Sequence, residues 1–172
     1  MLLNADGRKL AFAAVCAALA VGIAFISTVI PSVKISMAAV AGLCCAAALI
    51  ELGRLYSVLS FVVSAALMWL LLPVKSTAVM FTAFFGWYPI LKSLAEQMKS
   101  RAVEWAVKFA AFNIAAVALY LLGEAVTGVS VEAPWWGLLI GANLVFFAYD
   151  YCMTKLITLY ITRISPRLGK KA

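Results

Sequence analysis

With 172 residues, a net charge of +7, 66% hydrophobic residues and only 12% charged ones, this chain has too little polar surface to coat a globule in water. Soluble domains carry roughly a quarter of charged residues, and a mean hydropathy of +1.07 excludes that class. The sequence therefore reads as one domain whose solvent is lipid, an all-α integral membrane protein.

The basic residues sit in short loops and at the ends of apolar runs. That placement suits the phosphate headgroups of a cytoplasmic leaflet and leaves no basic, aromatic-interleaved face for nucleic acid. Apolar runs bounded by charge, Pro or Gly predict six spans, at roughly 10–30, 35–50, 55–72, 77–91, 105–122 and 135–158. The first, third, fifth and sixth are long enough for a hydrocarbon core of about 30 Å. The second and fourth are short, so four crossings plus two re-entrant segments is the alternative to six.

Arg8 and Lys9 ahead of an apolar run imitate a secretory leader, but that run extends to about residue 30 and more spans follow. An uncleaved first helix is expected. It carries Ala13, Ala17, Ala20 and Ala24 at spacings of four, three and four, with Ala14 and Ala18 beside them. Such a stripe lets another helix approach closely, which drives association in lipid. Internal packing is one use of it; an outward contact with a partner is the other. Ala38, Ala39, Gly42 and Ala46 extend the pattern into the second span.

Lys34 follows Pro31 in the first loop on the far side, and Lys75 follows Pro73 in the second. Between the fourth and fifth spans lies a charged stretch in which Lys92, Glu96, Ser100, Glu104 and Lys108 recur every four residues. That period winds the charges along one side of a helix, with Leu91, Leu94, Met98, Ala102 and Trp105 opposite. The segment 92–104 is expected to be an amphipathic element at the cytoplasmic interface, or two helix ends meeting there. With Lys99 and Arg101, its Lys92, Glu96, Glu104 and Lys108 would offer a docking surface; an ordinary solvated loop is the plainer reading.

The fifth span holds Asn113 and, nearer its far end, Tyr120; the sixth opens on Trp135 and Trp136 and holds Gly137, Gly141, Asn143 and Asp150. Paired tryptophans at a helix start are interfacial anchors. Together with outward lysines and amides they are also parts of a small-ligand pocket, which favours short or interrupted helices. Lys34, Lys75, Asn113, Tyr120, Trp135, Trp136 and Asn143 are therefore the candidate substrate-binding residues. Asp150 falls about 22 Å down the last helix, near the inner interface, where Lys155 or a base from the inner loops can pair with it. A coupling role in transport is the alternative for this carboxylate.

Cys16, Cys44, Cys45 and Cys152 all lie in apolar runs, and with no His in the chain neither a metal site nor a cofactor is expected. Ser27, Ser36, Ser60 and Ser64 lack a base to activate them, so an enzyme is not expected.

With the N-terminus inside, the six-span layout puts Arg8, Lys9, Arg54, Lys92, Lys99, Arg101, Lys108, Lys155, Arg163, Arg167, Lys170 and Lys171 on the inner side. Only Lys34 and Lys75 remain outside, twelve against two, and the outer stretch 123–134 holds Glu124 and Glu132 without a base. Positive residues stay inside, so a six-helix bundle in the plasma membrane with both termini cytoplasmic is expected.

This layout, and above all the basic leader and RKLAFAAVCAALA with its Ala-x-x-x-Ala repeats, resembles the substrate-binding S components of energy-coupling factor transporters. The resemblance implies that the first helix packs on a transmembrane coupling subunit served by ATPases, with an outward pocket for a vitamin-like compound. Metal-type members use a His-bearing N-terminal segment, which this chain lacks. The resulting expectation is a solute-binding subunit of an ATP-driven uptake transporter, docking through Ala13, Ala17, Ala20 and Ala24. A structural or assembly protein of the cell envelope and a stand-alone small carrier are the alternatives.

Overall fold

The computed structural model describes residues 2–127 and 135–164, and among them every regular element is helical. Helix α1 (Leu2–Val29) leads through a short 3-10 turn (Pro31–Val33) into α2 (Lys34–Leu52), then α3 (Arg54–Leu71). The next element is composite: α4 (Ser76–Met80), a π-helical turn (Phe81–Phe85) and α5 (Tyr88–Ala95). Helices α6 (Arg101–Thr127) and α7 (Trp135–Leu159) follow, the latter ending in a second π turn (Tyr160–Ile164).

Six helices are long and apolar enough to cross a membrane: Gly7–Val29, Lys34–Leu52, Arg54–Leu71, Ser76–Ala95, Arg101–Leu121 and Trp136–Arg163. The second and fourth, which read as short in the sequence, run to 19 and 20 residues, or about 30 Å each. Polar residues had marked their ends too early. The fourth continues through Lys92 because that side chain is paired inside the protein and needs no water.

Two local features set the helix ends. Gly53 alone separates α2 from α3; its φ of 90° lies in the left-handed region, and its N–H closes α2 on the Leu49 carbonyl at 3.0 Å. In the composite span, Pro89 has no N–H to offer the carbonyl four residues back, so the helix breaks ahead of it. The Gly86 N–H reaches instead to the Phe81 carbonyl at 2.8 Å, one residue further than an α-turn.

The bundle has two kinds of core. Between α1, α2, α3 and α4 it is small-grained, built on Ala20, Ala24, Ala38, Ala41, Cys45 and Ala65, with Met68 and Phe81 filling behind them. Ser27 shares a 2.7 Å hydrogen bond with Thr77, Ser57 donates to the Cys45 carbonyl at 2.9 Å, and Ser60 to that of Ala13 at 3.3 Å. Small residues and interhelical hydroxyls are how helices associate where lipid removes the hydrophobic drive. The second core is aromatic: Phe84, Tyr88 and Phe146, with Phe109, Phe112 and Tyr149 around them.

The first core overturns the expected docking stripe. Ala13, Ala17, Ala20 and Ala24 are all buried, Ala20 and Ala24 completely, in the seam where α1 meets α2 and α3. The stripe is consumed internally, and the face of α1 left open carries Ala11, Ala14, Ala18 and Gly22. A Cβ added at Gly22 would meet nothing within 4 Å.

Candidate functional site

The amphipathic ladder expected over 92–104 is broken in the structure. Helix α5 stops at Ala95, a turn covers 96–100, and α6 starts at Arg101. Of the two forms foreseen, two helix ends meet. The reversal turns Lys92 and Lys108 inward instead of leaving them on a solvated face, and they are only 2% and 1% exposed. Lys99 and Arg101 stay on the surface, while Glu96 and Glu104 reach back toward the lysines.

What the lysines face is Asp150 of α7, itself 3% exposed. Lys92 Nζ donates to its Oδ1 at 2.5 Å, the Tyr88 hydroxyl donates to the same oxygen at 2.5 Å, and Lys108 Nζ lies 3.4 Å from Oδ2. Lys92 also meets Glu96 at 2.9 Å; Lys108 meets Glu104 at 2.6 Å and Glu96 at 3.6 Å. Two ammonium groups thus share three carboxylates, and each of the three buried charges here, Lys92, Lys108 and Asp150, has a partner. The base foreseen for Asp150 comes from α5 and α6; Lys155 lies instead over the Tyr151 ring, 5.4 Å from its centroid. On the same end, Arg54 donates to Gln97 at 2.9 Å and ties α3 to the α5–α6 turn.

At the other end of the bundle lies a cleft of about 660 Å³ between α2, the π turn, α6 and α7. Its walls are Met80, Phe84, Phe85, Phe112, Ala115 and Ala116 on one side, with Leu138, Leu139, Ala142 and Val145 on the other. Alanines supply the room and aromatic rings the wall. Phe84 is fixed by tilted and edge-on ring contacts, 4.6 Å from Tyr88, 5.3 Å from Phe112 and 5.8 Å from Phe146. Phe112 in turn stacks on Phe146 at 4.5 Å and 11°.

Of the substrate-binding residues read from the sequence, Tyr120 lines this cleft, at its half-open rim. Asn113 and Asn143 do not. Their amides exchange hydrogen bonds at 3.0 and 2.9 Å, and each spends its other N–H on the carbonyl four residues back in its own helix. They clamp α6 to α7 and have no N–H left for a ligand. Lys75 is likewise engaged, donating to the carbonyls of Trp69 and Leu72 at 2.6 and 2.7 Å, where it caps the end of α3. Lys34 opens α2 one residue from the cleft-lining Ile35. Trp136 is 60% exposed, and the Trp135 side chain lies outside the described residues.

The residues that build the cleft escaped sequence reasoning because they are apolar among many apolar residues. The available signal was FTAFFGWYP, an aromatic cluster running into Gly and Pro on a short span. Among the described residues no three His, Cys, Asp or Glu side chains converge as metal ligands. Among the described residues the lining is apolar and aromatic apart from the Tyr120 hydroxyl, so shape and dispersion dominate what the cleft offers a molecule. Comparison with protein-family models, curated proteins and solved structures finds no match to this chain.

Proposed function

We propose that this chain is a membrane-embedded binding subunit that captures a small molecule in the cleft between the π turn, α6 and α7 and delivers it inward with an ATP-driven partner. The observation that carries this reading is the cleft itself, about 660 Å³ and walled by aromatic rings and small apolar side chains. Ligand pockets run from about 300 to 1,000 Å³. The positive-inside bias supports an outward opening, since the cleft lies at the end of the helices opposite the basic turn 96–101. The resemblance of the leader and first helix to S components supports the class of partner. The open face of α1, with Ala11, Ala14, Ala18 and Gly22, supports close packing on that partner in place of the buried stripe.

Two sets of variants test the halves of this reading. Ala116→Trp and Ala142→Trp fill the cleft, and native mass spectrometry of protein purified in mild detergent should show a small-molecule adduct on the unmodified chain and none on either variant. A chain that carries no adduct under these conditions sinks the capture reading. Ala14→Leu with Ala18→Leu should abolish copurification of ATPase subunits while leaving the thermal midpoint within a few degrees. Copurification of envelope-assembly enzymes in their place would favour a scaffold.

A further inference from the structure

The chemistry of the cleft narrows what it can hold. Resting on the binding reading above, we infer that its ligand is an uncharged, hydrocarbon-rich small molecule with ring character, entering from the bilayer, and not a water-soluble anion or cation. Among the described residues no charged side chain lines the cleft, and the Tyr120 hydroxyl at the rim is the single side-chain hydrogen-bonding group of its lining. Three of the polar groups read from the sequence as facing a charged solute are spent elsewhere, Asn113 and Asn143 on each other and Lys75 on carbonyls, and Lys34 is not among the lining residues. A charge buried here would lose its hydration and gain no counter-charge. Phe84, Phe85 and Phe112 offer ring faces and edges, to which another ring system binds by offset or edge contact.

The wall is built rather than accidental. Gly42 lets the Phe85 carbonyl of the π turn press directly on α2, so the position of Phe84 and Phe85 is set by backbone contact. Single π turns inside α-helical spans are frequent at functional sites. The rim is apolar as well: Ile35, Val117, Leu121 and Val145 are all exposed, so a lipophile dissolved in the membrane reaches the cleft without crossing a polar barrier. Phospholipid chains have the same access, and a mere lipid-filled groove is the outcome the experiment must separate.

The test uses full-length protein in phosphatidylcholine nanodiscs and two photoreactive probes sharing one skeleton, neutral benzophenone and anionic 4-benzoylbenzoate. Peptide mapping reads insertion at Met80, which lines the cleft, with the exposed Met98 as reference. Benzophenone should label Met80 saturably. Labelling should fall at least tenfold with excess diphenylmethane, a non-reactive neutral analogue, and also in Ala116→Trp; 4-benzoylbenzoate should label at least tenfold less. The competition arm needs no variant, so misfolding of Ala116→Trp leaves the test intact. Saturable labelling by 4-benzoylbenzoate equal to that by benzophenone overturns the neutral-ligand assignment and leaves the binding reading standing. Met80 labelling that rises linearly with either probe, in parallel with Met98, overturns both.

Discussion

Asp150→Leu is expected to lower stability by about 3–5 kcal/mol, the range for removing one partner of a buried ion pair. The substitution leaves Lys92 and Lys108, both almost wholly buried, without their shared carboxylate. Glu104 and Glu96 hold each lysine from the surface side, but Glu96 is 44% exposed and better screened. Replacing the three together, Lys92→Met, Lys108→Met and Asp150→Leu, should recover most of the loss, because well-packed apolar groups of similar size replace buried ion networks at little cost. Thermal midpoints of the single and triple variants in one detergent decide it. A single variant as stable as the parent would mean that the lysines find water when Asp150 is gone.

That comparison also separates two roles for the cluster. If the triple variant is stable but samples several arrangements of α6 and α7, the charges specify one packing. Each of the three helices α5, α6 and α7 contributes one buried charge, so only one rotation of each lets all three meet. Specifying a register is the best attested use of buried polar groups.

The second large effect is expected at Gly42. A Cβ there would collide with the Phe85 carbonyl, a backbone atom that cannot rotate aside. Gly42→Ala must therefore push the π turn off α2, at about 1–3 kcal/mol as for other overpacked cores, and displace the cleft wall. Gly22→Ala and Gly141→Ala are the internal controls, since added methyl groups there meet nothing within 4 Å. Both should be neutral or gain up to about 1 kcal/mol from helix propensity. Thermal unfolding and the adduct signal in native mass spectrometry read the two consequences separately. A Gly42→Ala protein with parental stability and a full adduct would show that the contact is slack.

The six long apolar helices were legible because hydropathy is a long-range average, insensitive to which way any one residue points. Facing was not legible. Helix α1 is so rich in alanine that two small-residue stripes run beside each other, Ala13–17–20–24 and Ala11–14–18 with Gly22, and only the neighbours decide which is buried. The ladder through 92–108 obeyed the i, i+4 rule, but that rule presumes an unbroken helix. The turn at 96–100 converts one exposed row into two inward-facing residues. Asp150 as a buried charge with a base from the inner segments was readable from its apolar surroundings; which bases was not. The amides misled for a simple reason: Asn113 and Asn143 are 30 residues apart, and nothing local shows that they lie opposite and satisfy each other.

Phe84 and Tyr88 give the bundle an insulating partition two rings thick. One side of the Phe84 ring bounds the apolar cleft, and 4.6 Å away stands Tyr88, whose hydroxyl touches the Asp150 carboxylate. A medium of low permittivity and a cluster of five charges are thus held apart by two buried rings in contact, Phe84 and Tyr88.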